Sequence, residues 1–296
     1  MILGTVQLGL HYGINNSFGK PNLIQVFKML DYAYENGIKI LDTGPMYGNA
    51  EELIGKYIGK NGKRFAICTK LPDILPEENK ISDDVVSTLI QKSLERLNIN
   101  HIYCYYLHQF YQCKYKKLMD ALVSAKNKRL IDYIGISVYD PSELIYICNN
   151  LNNVVDVVQI PYNIFSAFLW NEALEQAKKA NIKIFARSIF LQGLAFSSPE
   201  SKFSVKIGAG EYISYVQHLA AAKNQKVEQI CFDAVIDHEV IEDVICGAET
   251  LEQLMSNIEL EKNHLPLNES ELADIAYVMS DISKDIINPT KWEKYK

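Results

Sequence analysis

The sequence lacks the features that mark exported, membrane-spanning or nucleic-acid-binding proteins. Its 296 residues contain no apolar run that reaches the roughly 18 residues needed to cross a bilayer. The N-terminal stretch MILGTVQLGLHYG has neither the basic region nor the small-residue cleavage site of a signal peptide. The net charge of −6 gives no bulk attraction to nucleic acid or to an anionic membrane. We therefore expect a cytoplasmic protein whose partner is neither a nucleic acid nor a membrane.

Two motifs that would indicate other chemistry are also missing. The 6 cysteines are scattered and form no CxxC pair, which predicts reduced, mostly buried thiols and no metal site. No G-x-G-x-x-G sequence opens a βα unit, so a Rossmann-type dinucleotide site is not expected.

The chain does contain a regular alternation of β-rich runs and helical patterns. The runs are continuously apolar, which is typical of parallel strands buried on both faces. Helical periodicity separates them, as in the pattern from Leu23 to Tyr34 that Gly37 ends. Eight such units predict an α/β protein with a single domain over 1–296, a closed (β/α)8 barrel, and a doubly wound open sheet is the alternative. The predicted strands are 2–8, 38–43, 64–70, 101–108, 132–137, 154–162, 182–188 and 243–248.

Polar residues stand at the ends of three consecutive predicted strands. Strand two ends in Asp42, strand three in Lys70 and strand four in His108, and Tyr47 follows in the loop after strand two. In a barrel of this type the carboxyl ends of the strands meet at one mouth. Each residue alone has an ordinary structural explanation, such as a helix cap or a solvated lysine. Their combination predicts a proton-transfer site.

The chemistry of such a site follows from the residue types. A free phenol has a pKa of about 10, which is too high for easy proton release at neutral pH. A nearby ammonium, here Lys70, is expected to lower that pKa, and Asp42 is expected to keep Lys70 charged. His108 can orient a carbonyl oxygen while Tyr47 protonates it. The arrangement suits the reduction of a C=O group by a hydride supplied from elsewhere.

These residues carry a family resemblance. The segment DTGPMYGNAEELIG resembles the aldo-keto reductase signature, and the residues Lys70 in AICTKLP and His108 in YYLHQF resemble the Lys and His that complete its tetrad. LGTVQLG, VQIPYNIFS, ARSIFLQGLAF and ICGAETLEQLMSN are similar to further family segments in the same order. The resemblance implies an NAD(P)H-dependent oxidoreductase that reduces an aldehyde, ketone or sugar carbonyl, with the catalytic residues Asp42, Tyr47, Lys70 and His108.

The resemblance also implies a set of cofactor contacts. Tyr162 would stack on the nicotinamide ring, although core packing is the alternative for this residue. The other implied cofactor-binding residues are Gly4, Thr5, Asp42, Ser137, Gln159, Ser188, Phe190, Gly193, Gly247, Glu249, Gln253 and Asn257.

One of these positions departs from the family pattern. Glu249 stands where the resemblance implies an Arg or Lys that would bind the 2′-phosphate of NADPH. A carboxylate repels a phosphate and can instead accept from a ribose hydroxyl. NADP(H) remains the first expectation and NAD(H) the alternative. Lys202 and Lys206 could compensate if the predicted irregular loop 195–211 folds over the cofactor.

Other functions stay open at this stage. The resemblance permits a cofactor-binding regulatory subunit on the same fold, like the potassium-channel β-subunits. A barrel lyase or epimerase could use Lys70 as a Schiff-base amine. The small-molecule substrate and the oligomeric state are not predicted. Several aromatic residues could line a substrate pocket or pack in the core, namely Phe165, Trp170, Phe190 and Trp292.

Overall fold

A computed structural model of the chain describes residues 1–14, 16, 18–62, 64–73 and 81–295. Eight strands pair in sequence order, all in parallel, and the last strand pairs with the first. The prediction of a closed (β/α)8 barrel is confirmed, and the open sheet is wrong. The strands are β1 (Ile2–Gly4), β2 (Ile40–Asp42), β3 (Ala66–Lys70), β4 (Ile102–Leu107), β5 (Ile131–Ser137), β6 (Val157–Pro161), β7 (Lys183–Arg187) and β8 (Ile241–Gly247).

Helices surround the barrel, and several of them begin at a residue whose side chain caps the helix. The Asn22 side chain accepts hydrogen bonds from the backbone N–H groups of Ile24 and Gln25, which satisfies two donors left free at a helix start. The helices are α1 (Val6–Gly9), α2 (Leu23–Glu35), α3 (Ala50–Asn61), α4 (Asp83–Leu97), α5 (Lys116–Asn127), α6 (Pro141–Asn150), α7 (Asn171–Lys179), α8 (Lys202–Ile207), α9 (Gly210–Ala222), α10 (Val227–Ile236), α11 (Leu251–Lys262), α12 (Glu269–Met279) and α13 (Lys284–Ile287).

Side chains on both faces of the strands are buried, which explains the continuous apolar runs. One face fills the barrel interior with Cys68, Tyr106, Val157, Phe185 and their neighbours. The other face packs against the helix ring in a larger cluster. Side chains alternate between the two faces with a period of two residues. A residue at the end of a strand therefore points into the mouth when it lies two residues after an interior residue of that strand.

A further core lies at the side of the mouth where the loops after β6 and β7 emerge. Phe165 and Trp292 are buried in it, together with residues of α9 and α12. Trp170 is buried in the main outer cluster. Core packing is therefore the correct interpretation of these three aromatic residues, and they do not line an open pocket.

Two predicted boundaries are wrong. The first strand ends at Gly4 instead of continuing to residue 8, because Val6–Gly9 forms a helical turn. The segment 195–211 is not irregular throughout, since it contains α8, whose start Ser201 caps by accepting from the N–H of Ser204. All 6 cysteines are free and buried, as predicted. Within the described residues, no helix combines the length and apolar character required to cross a membrane.

Candidate active site

A buried ion pair lies at the mouth of the barrel between the ends of β2 and β3. The Nζ of Lys70 donates to Asp42 Oδ1 at 2.7 Å and to the carbonyl oxygen of Thr43 at 2.8 Å. Both side chains are almost fully buried. Burial alone would lower the pKa of the Lys70 ammonium, but the Asp42 carboxylate and the Tyr47 phenol together outweigh it and raise that pKa. Lys70 is therefore held charged, as the sequence predicts.

Tyr47 lies beside this ion pair, in the loop between β2 and α3. Lys70 Nζ is 4.7 Å from the centre of its ring. Burial raises the pKa of the Tyr47 phenol, and the opposing effect of Lys70 does not overcome it. The expectation that Lys70 brings this pKa below its usual value is therefore wrong, because burial is the larger effect. The phenol stays protonated at neutral pH and can act as a proton donor.

Two glycines place the Tyr47 loop against α1. A Cβ atom on Gly9 would lie 1.7 Å from the carbonyl oxygen of Tyr47, and one on Gly48 would lie 2.3 Å from the carbonyl oxygen of Gly9. Gly48 also has a φ of +60°, a conformation that other residues adopt only with strain. The backbones touch because neither position carries a side chain, and this contact fixes Tyr47 above the strand ends.

The remaining signature residues, Glu51 and Gly55, support the site without facing it. The buried Glu51 carboxylate accepts from Thr69 Oγ1 at 2.6 Å and from Arg96 Nε at 2.6 Å. A Cβ atom on Gly55 would lie 2.0 Å from the carbonyl oxygen of Arg96, so α3 and α4 approach closely there. Glu51 thus ties α3 to β3, the strand that carries Lys70.

His108 follows β4 and completes the group of four. Its Nδ1 lies 3.2 Å from Asp73 Oδ1, and its side chain is 21% exposed. Burial is the main cause that lowers its pKa, and Lys70 lowers it further. Its Nε2 is the ring nitrogen left for a ligand. The structure therefore brings Asp42, Tyr47, Lys70 and His108 together at one mouth.

Several predicted cofactor residues surround Asp42. Thr5 Oγ1 donates to the Asp42 carbonyl oxygen at 2.9 Å, and Gln159 Nε2 donates to Asp42 Oδ2 at 2.6 Å. The Oε1 atom of Gln159 is buried and accepts no hydrogen bond from any residue that the structure describes. Ser137 lies beside Gln159 in the register of β5 and β6, and Gly4 lies beside Asp42 in that of β1 and β2. A buried acceptor without a donor is costly, so this corner fits a ligand that carries an N–H group.

The segment after β7 has an unusual backbone. Ser188, Leu191, Gln192 and Gly193 all have positive φ values, of +58°, +45°, +53° and +89°. Such conformations cost energy in residues other than glycine and concentrate at binding sites. Phe190 is half-buried and packs against Phe196, with ring centres 5.3 Å apart.

The closing segment forms a local network around Glu249. Gln253 Oε1 accepts from the backbone N–H of Glu249 at 2.8 Å, and Gln253 Nε2 donates to Glu249 Oε2 at 3.4 Å. Asn257 Nδ2 donates to the carbonyl oxygen of Gly247 at 3.1 Å. Burial raises the pKa of the Glu249 carboxyl. These residues lie together after β8, as the resemblance requires.

The structure does not bring Tyr162 to the mouth. Its ring is buried in the outer cluster and packs edge-on against His238, with ring centres 5.7 Å apart. A ring on that side cannot stack on a group bound above the strand ends, so packing is the better explanation. Lys202 and Lys206 are exposed on α8, and Lys206 contacts the carbonyl oxygen of Tyr295.

Three residues at the mouth did not enter the predicted site. Asp73 approaches His108, Tyr12 accepts a hydrogen bond from Gln192 Nε2 at 3.0 Å, and Arg187 ends β7. Arg187 could have been found, because it stands at a strand end on the inward register. Tyr12 could not have been found from the sequence, since it lies in a long loop whose residues show neither helical nor strand periodicity. Among the described residues no group of three His, Cys, Asp or Glu side chains could hold a metal ion.

Fold and site together define a (β/α)8 protein whose mouth carries an Asp–Lys ion pair, a tyrosine and a histidine. The chain belongs to the aldo-keto reductase family, because the model of the Aldo/keto reductase family matches residues 1–279.

Two curated relatives illustrate how far the sequence similarity reaches. The chain is 34% identical over 128 residues to D-arabinose 1-dehydrogenase of Saccharomyces cerevisiae, a match that covers 40% of the chain and 38% of that protein. It is 31% identical over 140 residues to aldo-keto reductase yakc [NADP(+)] of Schizosaccharomyces pombe, covering 44% of the chain and 40% of that protein. The chain thus matches about two fifths of the length of these relatives.

Among solved structures, aldo-keto reductase AKR11C1 from Bacillus halodurans, in its holo form, superposes with a TM-score of 0.76 at 17% identity. The superposition covers 97% of the chain and 95% of that protein. At this level of identity the likeness supports the fold alone.

Proposed function

We propose that this chain is an NAD(P)H-dependent oxidoreductase that reduces the carbonyl group of a small molecule, with Tyr47 as the general acid. One observation carries the proposal. The buried pair Lys70–Asp42, with Nζ and Oδ1 2.7 Å apart, lies directly beside the Tyr47 ring at the mouth of the barrel. A charged amine next to a protonated phenol is the arrangement that stabilises a phenolate once the proton has left.

Each residue of the group has a distinct role in this reaction. His108 donates a hydrogen bond from Nε2 to the carbonyl oxygen and orients it. Tyr47 passes its proton to that oxygen as negative charge develops. Lys70 stabilises the phenolate that remains, and Asp42 keeps Lys70 charged and directed at the phenol.

The residues present fit a nicotinamide dinucleotide. The unpaired Oε1 of Gln159 suits the N–H of a carboxamide, with Ser137 beside it. The backbone from Ser188 to Gly193 follows β7, and the network of Glu249, Gln253 and Asn257, which would hold the adenosine end, follows the neighbouring strand β8. When bound, the reduced nicotinamide supplies the hydride to the carbonyl carbon.

The choice between NADPH and NADH rests on opposing indications. The family resemblance and the NADP(+) in the name of the Schizosaccharomyces pombe relative favour NADPH. The Glu249 carboxylate, beside Gln253, favours NADH because it repels a 2′-phosphate and can accept from a ribose hydroxyl. We keep NADPH as the first proposal and NADH as the alternative.

A Schiff-base role for Lys70 is disfavoured. A nucleophilic amine needs a lowered pKa, whereas Asp42 raises the pKa of Lys70. The amine is also buried and hydrogen-bonded to two oxygen atoms.

Dinucleotide binding and turnover together test the proposal. Purified protein should enhance or quench the fluorescence of added NADPH or NADH, and it should oxidise one of them when presented with a panel of aldehydes, ketones and sugars. Absence of dinucleotide binding would contradict the proposal. Binding without any turnover across the panel would favour a regulatory subunit.

A further inference from the structure

The end of β7 places a cation at the mouth that the proton-transfer group does not use. Phe185 belongs to the barrel interior, and Arg187 lies two residues further along the same strand. Side chains alternate with a period of two, so Arg187 points to the interior side where the strand reaches the mouth. The side chain is half-buried, so its charge is only partly screened by water.

The guanidinium is held in a fixed orientation. One NH2 hydrogen bond goes to the carbonyl oxygen of Val138 at 3.0 Å, and the group lies 4.3 Å from the centre of the Tyr139 ring. A longer contact of 3.5 Å joins NH1 to Ser188 Oγ. A guanidinium carries five N–H donors, so these contacts leave donors free.

The positive charge of Arg187 has no partner of opposite sign among the residues that the structure describes. Across the described part of the chain, no Asp or Glu oxygen pairs with it, and its contacts are a carbonyl oxygen, a hydroxyl and an aromatic ring. By contrast, Lys70 at the same mouth is neutralised by Asp42. A partly buried, unpaired cation is unfavourable unless a ligand supplies the missing charge.

The charge also lies near the reacting groups. Arg187 opposes the rise that burial causes in the pKa of the Tyr47 phenol and adds to the lowering of the His108 pKa, so its charge acts on both groups. A small molecule that binds the guanidinium through one group would thus place another of its groups beside Tyr47, the proton donor. The Asp73 carboxylate lies at the same mouth, with its Oδ1 3.2 Å from His108 Nδ1.

We propose that Arg187 binds an anionic group of the substrate, a carboxylate or a phosphate, while the substrate carbonyl lies between Tyr47 and His108. This inference rests on the function proposed above and specifies its substrate class. Two N–H groups of a planar guanidinium can donate to two oxygen atoms of a carboxylate or a phosphate. This paired geometry selects the orientation of the ligand as well as its charge.

Matched pairs of substrates test the inference. Succinic semialdehyde is compared with its methyl ester, and glyceraldehyde phosphate with glyceraldehyde, so that the members of each pair differ by one anionic group. The wild type should favour the anionic member of at least one pair by about 10- to 100-fold in kcat/KM, the range expected for a hydrogen bond to a charged group. The pair that shows the preference identifies the anion.

Variants then assign the preference to Arg187. Arg187→Met keeps an apolar side chain of similar length and removes the charge. The ratio of kcat/KM for the anionic substrate to that for the neutral one should then fall close to one, mainly through a change in KM. Arg187→Lys should restore part of the ratio because it restores the charge. The control Lys179→Met removes an equal charge from an exposed site on α7, and it should keep the wild-type ratio.

A binding measurement gives a result even if none of these aldehydes is turned over. Protein loaded with NADPH or NADH is titrated with benzoate and with benzamide, and the Kd of each is measured by calorimetry. Benzoate should bind about 10-fold tighter or more to the wild type, and the difference should disappear in Arg187→Met.

Three results would overturn the inference. The first is equal use of both members of each pair, or preference for the neutral member, by the wild type. The second is an unchanged ratio in Arg187→Met with a weakened Kd for the dinucleotide, which would assign Arg187 to the cofactor. The third is equal binding of benzoate and benzamide. Reduction of a neutral aldehyde in any of these cases would leave the proposed reductase function standing.

Discussion

At the scale of single residues, the state of Tyr47 depends on two opposing effects. Lys70 favours the phenolate, whereas burial favours the neutral phenol, and burial is the larger effect in this structure. A neutral phenol beside a permanent cation is suited to give a proton only when a better acceptor forms. The developing alkoxide of a reduced carbonyl is such an acceptor.

Tyr47→Phe removes the proton donor and leaves the ring in place. We expect carbonyl reduction to fall by about 10²- to 10⁴-fold, the usual contribution of a general acid, while the Kd of the dinucleotide stays close to that of the wild type. Stopped-flow turnover and nicotinamide fluorescence measure the two quantities. Tyr277→Phe, at an exposed tyrosine of α12, is the control. A Tyr47→Phe variant with most of its activity would remove Tyr47 as the acid.

Asp73→Asn should lower the pKa of His108 further. Burial, Lys70 and Arg187 already lower this pKa from its ordinary value of 6.5, and Asp73 opposes them. The His108 imidazole binds its proton less tightly in the folded protein than in the unfolded chain. The free energy of unfolding should therefore increase with pH between the pKa of His108 in the folded protein and about 6.5.

NMR titration of the histidine ring protons measures the midpoint, with His108→Gln to assign the resonance. Asp132→Asn, which removes a carboxylate near His101 instead, should leave the His108 midpoint where it is. A midpoint that rises in Asp73→Asn would show that Asp73 does not act on the ring as its position suggests.

Glu249→Arg should shift dinucleotide preference towards NADPH. The change replaces a carboxylate that repels a 2′-phosphate with a guanidinium that binds one. The ratio of the dissociation constants for NADPH and NADH should move by about 10-fold or more. Glu252→Arg makes the same charge change at an exposed position of α11 and should leave the ratio unaltered. An unchanged ratio in Glu249→Arg would mean that Glu249 is remote from the 2′-position.

At the scale of secondary-structure elements, the site depends on close contact between backbones. The loop that carries Tyr47 touches α1 through Gly9 and Gly48. Glu51 and Gly55, on α3, join that helix to β3 and α4. The glycines and the glutamate of the signature thus hold the loop in place, whereas the aspartate and the tyrosine are the signature residues to which the proposed reaction assigns the chemistry.

Gly9→Ala should disturb this arrangement. The added methyl would lie 1.7 Å from the carbonyl oxygen of Tyr47, so the loop must move. We expect a loss of about 1–3 kcal/mol in the free energy of unfolding together with a reduced kcat. Gly62→Ala, where the methyl meets open space, tests for backbone strain alone and should keep the wild-type kcat. A wild-type kcat in Gly9→Ala would show that the contact does not position Tyr47.

At the scale of the whole molecule, the barrel is completed by a second core beside the mouth. Trp292 lies at its centre, with Phe203 edge-on at 5.2 Å between ring centres. Its Nε1 donates to the carbonyl oxygens of Asp285 and Ile286. The final helical segments are therefore packed onto α8 and α9.

Trp292→Ala should destabilise the protein by about 3–5 kcal/mol, the range for removing a large buried aromatic side chain. Trp292→Phe keeps most of the packing and loses the indole N–H, so its loss should be smaller. Denaturant titration followed by circular dichroism measures both. A loss below about 1 kcal/mol for Trp292→Ala would mean that this core contributes little to folding.

The sequence by itself determined the barrel and the four residues at its mouth. Continuous apolar runs require parallel strands buried on both faces, and eight of them with helices between them close into a barrel. The strand ends then place Asp42, Lys70 and His108 on one side. Two boundaries could not be predicted, because the turn at Val6–Gly9 packs against the Tyr47 loop and the short helix α8 packs in the core that contains Trp292.

Only the tertiary structure decided how strongly each residue is buried and which way it faces. Burial reverses the expected shift in the pKa of Tyr47, and the end of β6 turns Tyr162 outward towards His238. The same packing places Phe165 in a core and puts no described carboxylate beside Arg187 at the mouth. Desolvation and the pairing of charges depend on atoms from distant parts of the chain, and no local pattern of residues encodes them.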